Sequence, residues 1–599
     1  MFKKIVYSLT ILIVIFAGIL FFSKNQVKSF IKKNPVVYNL VRTVVAKVSV
    51  INPFDSSLGN LDKNESMQEA HFTIDFRKES GSYKKFWQGL GQDSFNDGFL
   101  KPHNRAYYQL IGEMNQVRPV FQSAHSKGML CDTWHVENTC GSVYTKDRNG
   151  VINYDWTITD EVFDLLLNNG LKPLVSFTYM PSNLASDPKK VNPWNKSNVS
   201  PPNDYREWQD LIYKTVVHLK NRYGEREITN WYFEVWNEPD LPWFFWVNHP
   251  DKQTYPYKGD NKEYFKLYDY TAQAAAKALP AIKIGGPAIA GDIDFFINDW
   301  LPHCQSGRNY ASGRKGTRVD FLSMHAYGNI ETKILPGIIR FIDKAKENGK
   351  KITKRADFLI TEYGPSAKPE PWLNSRYVAA WIVKFVDGIL FLGNEKGRKY
   401  IPNLAYFWTK PVPANFGKHF GLATAFGHPK HPRANSIVKR PVFNGFDALS
   451  RLGSVQLEVK GTDFGDPIHA IATRSSSNEI EVLLYHLDES DPYNESRQTF
   501  PVSISITNLP FRSFRTELYV IDESHSNSYT LWKEMGEPDR PTREQLQKLQ
   551  QNDDLALIAS QTEVTPANQS FRTEMEIQSN SVALLVLIPI QTNDGKGVL

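Results

Sequence analysis

The feature that most constrains this fold is an alternation. From Phe86 onward, apolar strand-like runs trade places with amphipathic helical ones, eight times over about 330 residues. The strand-like runs are FWQGLG from Phe86, VRPVFQ from Val117, KPLVSFTY from Lys172, WYFEVWNE from Trp231, IKIGGPAI from Ile282, FLSMHAYG from Phe321, DFLITEYG from Asp357 and LAYFWTKP from Leu404. Between them lie ITDEVFDLLLNNG, EWQDLIYKTVVHLKNRYG, YFKLYDYTAQAAAKAL and RYVAAWIVKFVDGILFLG. In the first of these Ile158, Val162, Leu165 and Leu166 share one helical face, and Gly170 is placed to cap the end. Strand and helix in strict alternation predict an α/β fold, a (β/α)8 TIM barrel. An open doubly wound sheet would want a glycine-rich turn after an early strand, and GLGQDSF lacks the third glycine.

Beyond about residue 450 the period changes. EIEVLLYHLDE, FPVSISITNLP, FRTELYVIDE and SNSVALLVLIPI are short alternating strands, and only TREQLQKLQQND between them has helical spacing. This predicts a C-terminal β-sandwich, to which HFTIDFRKE adds a strand from the other side of the barrel. At the N-terminus, two lysines precede 18 uncharged, mostly apolar residues from Ile5 to Phe22. At about 1.5 Å per residue a helix of that length just crosses a bilayer. A signal peptide would need a small-residue cleavage site, and Phe21, Phe22 and Ser23 make a poor one, so a transmembrane anchor is favoured over a cleaved signal. Either reading carries the folded part across a membrane: an anchored protein with its catalytic domain outside the cytoplasm, or a secreted or periplasmic one. The expected organisation is an anchor or signal at 1–23, a juxtamembrane linker at 24–70, the barrel at 71–450 and the accessory domain at 451–599.

Composition excludes several function classes. Aromatic residues make up 13% and charged residues 22%, as in a folded protein. A net charge of +6, with no long basic block in the folded region, excludes nucleic acid as a natural partner. Cys131, Cys140 and Cys304 lack the spacing of a metal site. The first two either form a disulfide or remain thiols.

Chemistry enters at WYFEVWNEPDL, where a strand-like run stops abruptly in Asn237, Glu238 and Pro239. Glu238 ends the fourth predicted strand and Glu362, in FLITEYGP, the seventh. The active-site face of such a barrel is the end at which its strands terminate, so these two carboxylates face each other across the mouth. A facing pair suits cleavage of a glycosidic bond, one protonating the leaving oxygen while the other meets the positive charge on the ring. Trp236, Trp243, Trp246 and Trp408 would offer flat apolar surface to sugar faces. Trp243 to Trp246 would equally form a packed lid or a partner surface. A binding protein without catalysis would need the aromatics but not the carboxyl pair.

These residues resemble a known family. FEVWNEP followed much later by ITE resembles the catalytic pair of the retaining glycosidase clan with (β/α)8 barrels. SAHSKGMLCD, the phrase NYDWTITDEVFDLLLNNGLKPLVSFTYMPSNLAS, FEVWNEPDL, DFLSMHAYG and FLITEYG are similar to glycoside hydrolase family 39, which contains β-xylosidases and α-L-iduronidases. The likeness spans Val117 to Gly364, and VFNGFDALSRLG extends it to Gly453. It implies a retaining hydrolase of oligo- or polysaccharide, with Glu238 as acid/base, Glu362 as nucleophile and Asn237 as a donor to the sugar 2-hydroxyl. It further implies that His125, His325 and Tyr327 line the sugar subsite, that Trp408 lies near its floor, and that no metal or cofactor takes part. Without the resemblance, both histidines read as satisfied core residues and Asn237 as a loop cap. After the eighth strand the chain departs from the xylosidases: it reads WTKPVPANFGKHF, with Lys410 where they carry an acidic segment. A lysine there would suit an anionic sugar, as in a uronic-acid-releasing or endo-acting hydrolase, or would simply pair with a loop acid.

Overall fold

The computed structural model describes residues 69–590 with breaks at 93, 132–141, 247–261, 396–403, 408–411, 414–420, 429–430, 462–465, 495 and 565–567. Eight parallel strands close into a barrel: Gly89–Gln92, Ser123–Ser126, Lys172–Ser176, Tyr232–Glu234, Lys283–Ile289, Phe321–Tyr327, Asp357–Gly364 and Leu404–Phe407. Each pairs with its neighbour in sequence, and the last with the first, Ala405 opposite Gly89. A helix follows each strand, among them Thr157–Asn168, whose buried Val162, Leu165 and Leu166 share the expected face. Another, Tyr205–Tyr223, starts at Asp204, whose carboxylate caps the backbone N–H groups of Arg206 and Glu207.

The second strand is not where its apolar run suggested. Helix Pro102–Val117 continues through Val117, and the strand is the small, polar SAHS. Val120 and Phe121 are buried, but in a connection whose backbone N–H groups are accepted by the Asn115 side chain at 3.0 and 3.3 Å. Their hydrophobicity reports burial, not strand pairing.

The C-terminal strands form one continuous nine-stranded sheet, with Ala70–Ser82 inserted between Val455–Lys460 and Thr499–Thr507. The sheet curls until its ends meet: Phe514, next to one edge, touches Phe571 on the other, with ring centroids 5.4 Å apart. Period-2 alternation divides its side chains. Ala470, Ala472, Val482, Leu484, Ala583 and Leu585 face the inside of the curl, whereas Ile471, Leu483, Tyr485, Val582 and Leu584 join the core of the barrel. Buried Arg376, at the start of barrel helix Arg376–Glu395, donates to the carbonyls of Ser579 and Ser496 and so ties barrel to sheet. Strands Val455–Lys460, Ile468–Arg474, Ala556–Val564 and Phe571–Gln578 were not singled out in the sequence.

Among the described residues no helix is long and apolar enough to cross a membrane. The apolar run Ile5 to Phe22 lies outside the described residues, as do Trp408, Lys410 and Cys140. Cys131 is disulfide-bonded, while Cys304 is free and buried.

Candidate active site

Glu238 and Glu362 meet at the mouth of the barrel. One ligand atom from each, and one from His325, lie within 4.8 Å of one another. Local backbone devices aim each carboxyl group. In the seventh strand the register against the sixth slips between Ile360 and Glu362, so that Glu362 stands opposite His325. Such a bulge re-aims side chains: Tyr363 packs outward on Phe385, while Thr361 and Glu362 both reach charged groups inside the barrel, Glu234 and Lys127. After the fourth strand the chain bends through Trp236 and Glu238, both left-handed with φ of 72° and 46°. Non-glycine residues enter that region at a cost of about 1–3 kcal/mol each, and persist there only when their surroundings dictate it. Trp236 is held by full burial and by its indole N–H donating to the Phe244 carbonyl, and Glu238 by its own N–H donating to the Ala288 carbonyl. Asp240 accepts three backbone N–H groups, those of Ala290, Gly291 and Asp292, and pins the next loop to this bend.

The two carboxyl groups have unlike surroundings. Lys127, a buried ammonium on the loop after the second strand, pairs with Glu362 Oε1, and the Tyr327 hydroxyl donates to Glu362 Oε2 at 2.6 Å. Among the described residues Glu238 has no lysine or arginine partner; His325 Nδ1 lies 2.7 Å from its Oε1 and 3.5 Å from Glu362 Oε1. Burial pushes the Glu238 carboxyl up to about 7, with the Lys127 charge opposing the rise. Burial and Lys127 together hold the His325 imidazole well below its ordinary value, against the pull of Glu234. Near neutral pH the site therefore combines a neutral histidine, a half-protonated Glu238 and a Glu362 with a cation at one oxygen and a hydroxyl donor at the other. Glu238, His325 and Glu362 are also the ligand types that could grip a metal ion, but Lys127 already supplies the positive charge at that spot.

Among the described residues, polar atoms of this shell remain without a protein partner. Asn237 Oδ1 and His325 Nε2 are buried and unmatched. A buried polar group left unpaired costs about 1–3 kcal/mol, so such atoms beside a carboxyl pair mark where hydroxyl groups of a ligand would bind.

A second charged layer lies beneath, and the sequence did not disclose it. Glu234, on the fourth strand, accepts from Ser176 Oγ and Thr361 Oγ1, both at 2.9 Å, and lies 3.1 Å from His125 Nε2. His125 donates from Nδ1 to the Thr361 carbonyl at 2.8 Å and meets Ser176 with Nε2. Both its ring nitrogens are engaged by protein groups, within this layer beneath the carboxyl pair. Burial alone would raise the Glu234 carboxyl, but His125, His325 and a hydrogen bond from Ser323 outweigh it and hold it down at about 2. Trp236, expected at the rim, is fully buried and offers no face to a ligand. Phe245 is buried too, whereas Trp243 is exposed. Glu234 stands inside an apolar strand run and Lys127 just past the small, polar second strand, so neither sits at the polar end of an apolar run.

The sequence model of Glycosyl hydrolases family 39 matches residues 71–565. The chain belongs to this family. Among its relatives are a β-xylosidase of Caldicellulosiruptor saccharolyticus, 29% identical over 80% of this chain and 90% of the relative, and an α-L-iduronidase of Mus musculus, 25% identical over 67% and 63%. The fold matches the crystal structure of a GH39 enzyme from Xanthomonas axonopodis pv. citri with a TM-score of 0.70 and 20% identity, covering 88% of this chain and 99% of that one. The family 39 member described here is an O-glycosyl hydrolase of the retaining kind.

The buried Glu234 generates a test by pH. Its carboxyl falls from 4.5 to about 2 on folding, so its contribution is present above the unfolded value and lost as the pH drops through the folded one. That shift corresponds to about 3 kcal/mol. Acid unfolding of the isosteric Glu234→Gln protein, measured beside the wild type, should show the stability gap shrinking by about that amount between roughly pH 5 and pH 2. Parallel curves would contradict this account of Glu234.

Proposed function

We propose that the family 39 enzyme is β-xylosidase-like, cleaving β-xylosides by double displacement with Glu362 as nucleophile and Glu238 as acid/base. The carrying observation is the unequal treatment of the two carboxyl groups. A nucleophile must be ionised and fixed; Lys127 and Tyr327 each engage one oxygen of Glu362. A general acid must hold a proton near neutral pH, and Glu238, raised to about 7 with 13% of its side chain still open to solvent, can do so. The close approach of the pair suits retention, for which carboxyl groups stand ~5–5.5 Å apart, whereas inversion needs ~6.5–9.5 Å to admit a water.

In the first step Glu362 attacks the anomeric carbon from the wall of the seventh strand while Glu238 gives its proton to the departing oxygen. In the second, Glu238, now a base, takes a proton from water, and the water oxygen displaces Glu362 from the sugar. Asn237 and His325, with their unmatched atoms, and Tyr327 hold the sugar hydroxyls, and the family resemblance gives Trp408 and Lys410 to the same sugar. The α-L-iduronidase relative supports a second reading, a hydrolase releasing a uronic acid, with Lys410 against the sugar carboxylate. Aryl β-xylosides compared with aryl uronides separate the two.

Removing each glutamate distinguishes their roles. Glu362→Ala should be inactive on every substrate. Glu238→Ala should slow alkyl glycosides by roughly 10²- to 10⁴-fold, yet release dinitrophenolate from an activated glycoside in a burst, because that leaving group needs no proton. Added azide, which needs no base, should restore turnover. Two variants equally dead on the activated substrate, with no burst and no rescue, would refute the assignment.

We further propose that the enzyme acts outside the cytoplasm, tethered to the membrane by the apolar run from Ile5 to Phe22. Full-length protein should leave membranes only with detergent. N-terminal sequencing of the mature protein that finds residues 1–23 removed would refute the tether.

A further inference from the structure

Two tryptophans stand in the open on the loops after the third and fourth barrel strands: Trp194 is 62% exposed and Trp243 36%. Their rings meet edge to face with centroids 6.2 Å apart, and Phe244 lies against Trp194 at 6.0 Å. Large aromatic side chains are usually withdrawn from water, so a contiguous exposed pair calls for a partner.

The pair is fixed in place. Asn192, fully buried, accepts at Oδ1 from the backbone N–H groups of Trp194 (2.9 Å) and Asn195 (3.2 Å), and donates from Nδ2 to the Trp243 carbonyl (3.0 Å). One amide thus holds both tryptophan backbones. A second joint links the same loops, the Trp246 N–H donating to the Val199 carbonyl at 2.7 Å. Rigid aromatic surface contacts a ligand at little cost in conformational entropy.

Its position follows from the chemistry. Trp243 lies five residues beyond Glu238, in a turn where the Leu241 N–H donates to the Glu238 carbonyl and the Phe244 N–H to the Leu241 carbonyl. In an in-line displacement the leaving group departs away from the nucleophile. With Glu362 on the seventh strand and Glu238 on the fourth, it departs towards the walls formed by the third and fourth strands. The tryptophans stand on the loops that follow those two strands.

We propose that Trp194 and Trp243 form a stacking platform for a pyranose ring on the leaving-group side of the scissile bond, making an oligosaccharide chain a better substrate than a simple alkyl glycoside. The inference rests on the roles given above to Glu238 and Glu362 and on xyloside hydrolysis. The C–H faces of a pyranose pack on the indole faces while its hydroxyls stay in water, as amphipathic aromatic contacts allow.

The readout is the ratio of kcat/KM for xylotetraose to that for methyl β-xyloside, whose leaving group carries no ring. In Trp194→Ala and Trp243→Ala this ratio should fall about 5- to 10-fold each, the worth of one aromatic contact. Trp194→Tyr should keep most of it. Val151→Ala, another exposed apolar residue, should leave it unchanged. Both tryptophans are exposed, so the variants should unfold within a few degrees of the wild type, which thermal melts will check. A ratio unmoved by either substitution overturns the platform, and so does a changed sedimentation coefficient with the ratio intact, which would assign the rings to contact with a second copy of the chain. A wild type that hydrolyses neither xyloside overturns the proposed function, and the platform with it; activity on both with an unmoved ratio overturns the platform alone.

Discussion

Two carboxyl groups a few ångströms apart in a nearly dry barrel mouth repel each other, and the structure around Glu238 and Glu362 is organised by that repulsion. At their separation, within 4.8 Å, two full charges would oppose each other by roughly 3 kcal/mol at an effective dielectric constant of about 20. Lys127 and Tyr327 relieve it on one side by committing their charge and hydrogen to Glu362. On the other side burial keeps the Glu238 proton in place up to about pH 7, so the second charge is not formed there. Unlike surroundings set two chemically identical side chains apart, and acid-assisted displacement needs such a difference.

This arrangement rests on a floor. Glu234 is ionised and wholly enclosed, with Ser176, Thr361 and His125 drawn around it from the third, seventh and second strands. The bulge that turns Glu362 to the mouth also turns Thr361 to this floor, so one irregularity in the seventh strand serves both layers. The left-handed bend at Trp236 and Glu238 is its counterpart on the facing wall. Below the floor, Leu174, Phe321 and Leu359 close the barrel interior with apolar packing. The curled sheet contributes side chains of four strands to the barrel core, which ties the second domain to the scaffold that carries the site.

What was legible in the sequence follows from what periodicity reports. Seven strands stand where apolar runs end in polar residues, because a barrel strand is hydrophobic until it reaches the mouth. Glu238 and Glu362 were visible for the same reason: each is the abrupt polar end of such a run. The second strand was misplaced because SAHS is small and polar where it faces the charged floor, while Val120 and Phe121 are apolar in a connection that is merely buried. Glu234 and Lys127 stayed hidden because their meaning lies in partners far along the chain, Thr361 and Glu362, which no local pattern reveals. Trp236 misled in the opposite direction: an aromatic beside a catalytic motif reads as a sugar platform, yet its indole locks the bend from within.

The central claim, that Glu362 is the group that bonds to the sugar, is tested most directly by trapping that bond. A 2-deoxy-2-fluoro xyloside with an activated leaving group slows the second step more than the first, so the glycosyl–enzyme accumulates and can be digested and mapped by mass spectrometry. The account predicts one fluoroxylosyl group per chain, on the peptide containing FLITEYG and at Glu362. A label on Glu238 or Glu234, or a wild-type enzyme that turns over its natural glycoside yet inverts the anomeric configuration and never accumulates label, would contradict it.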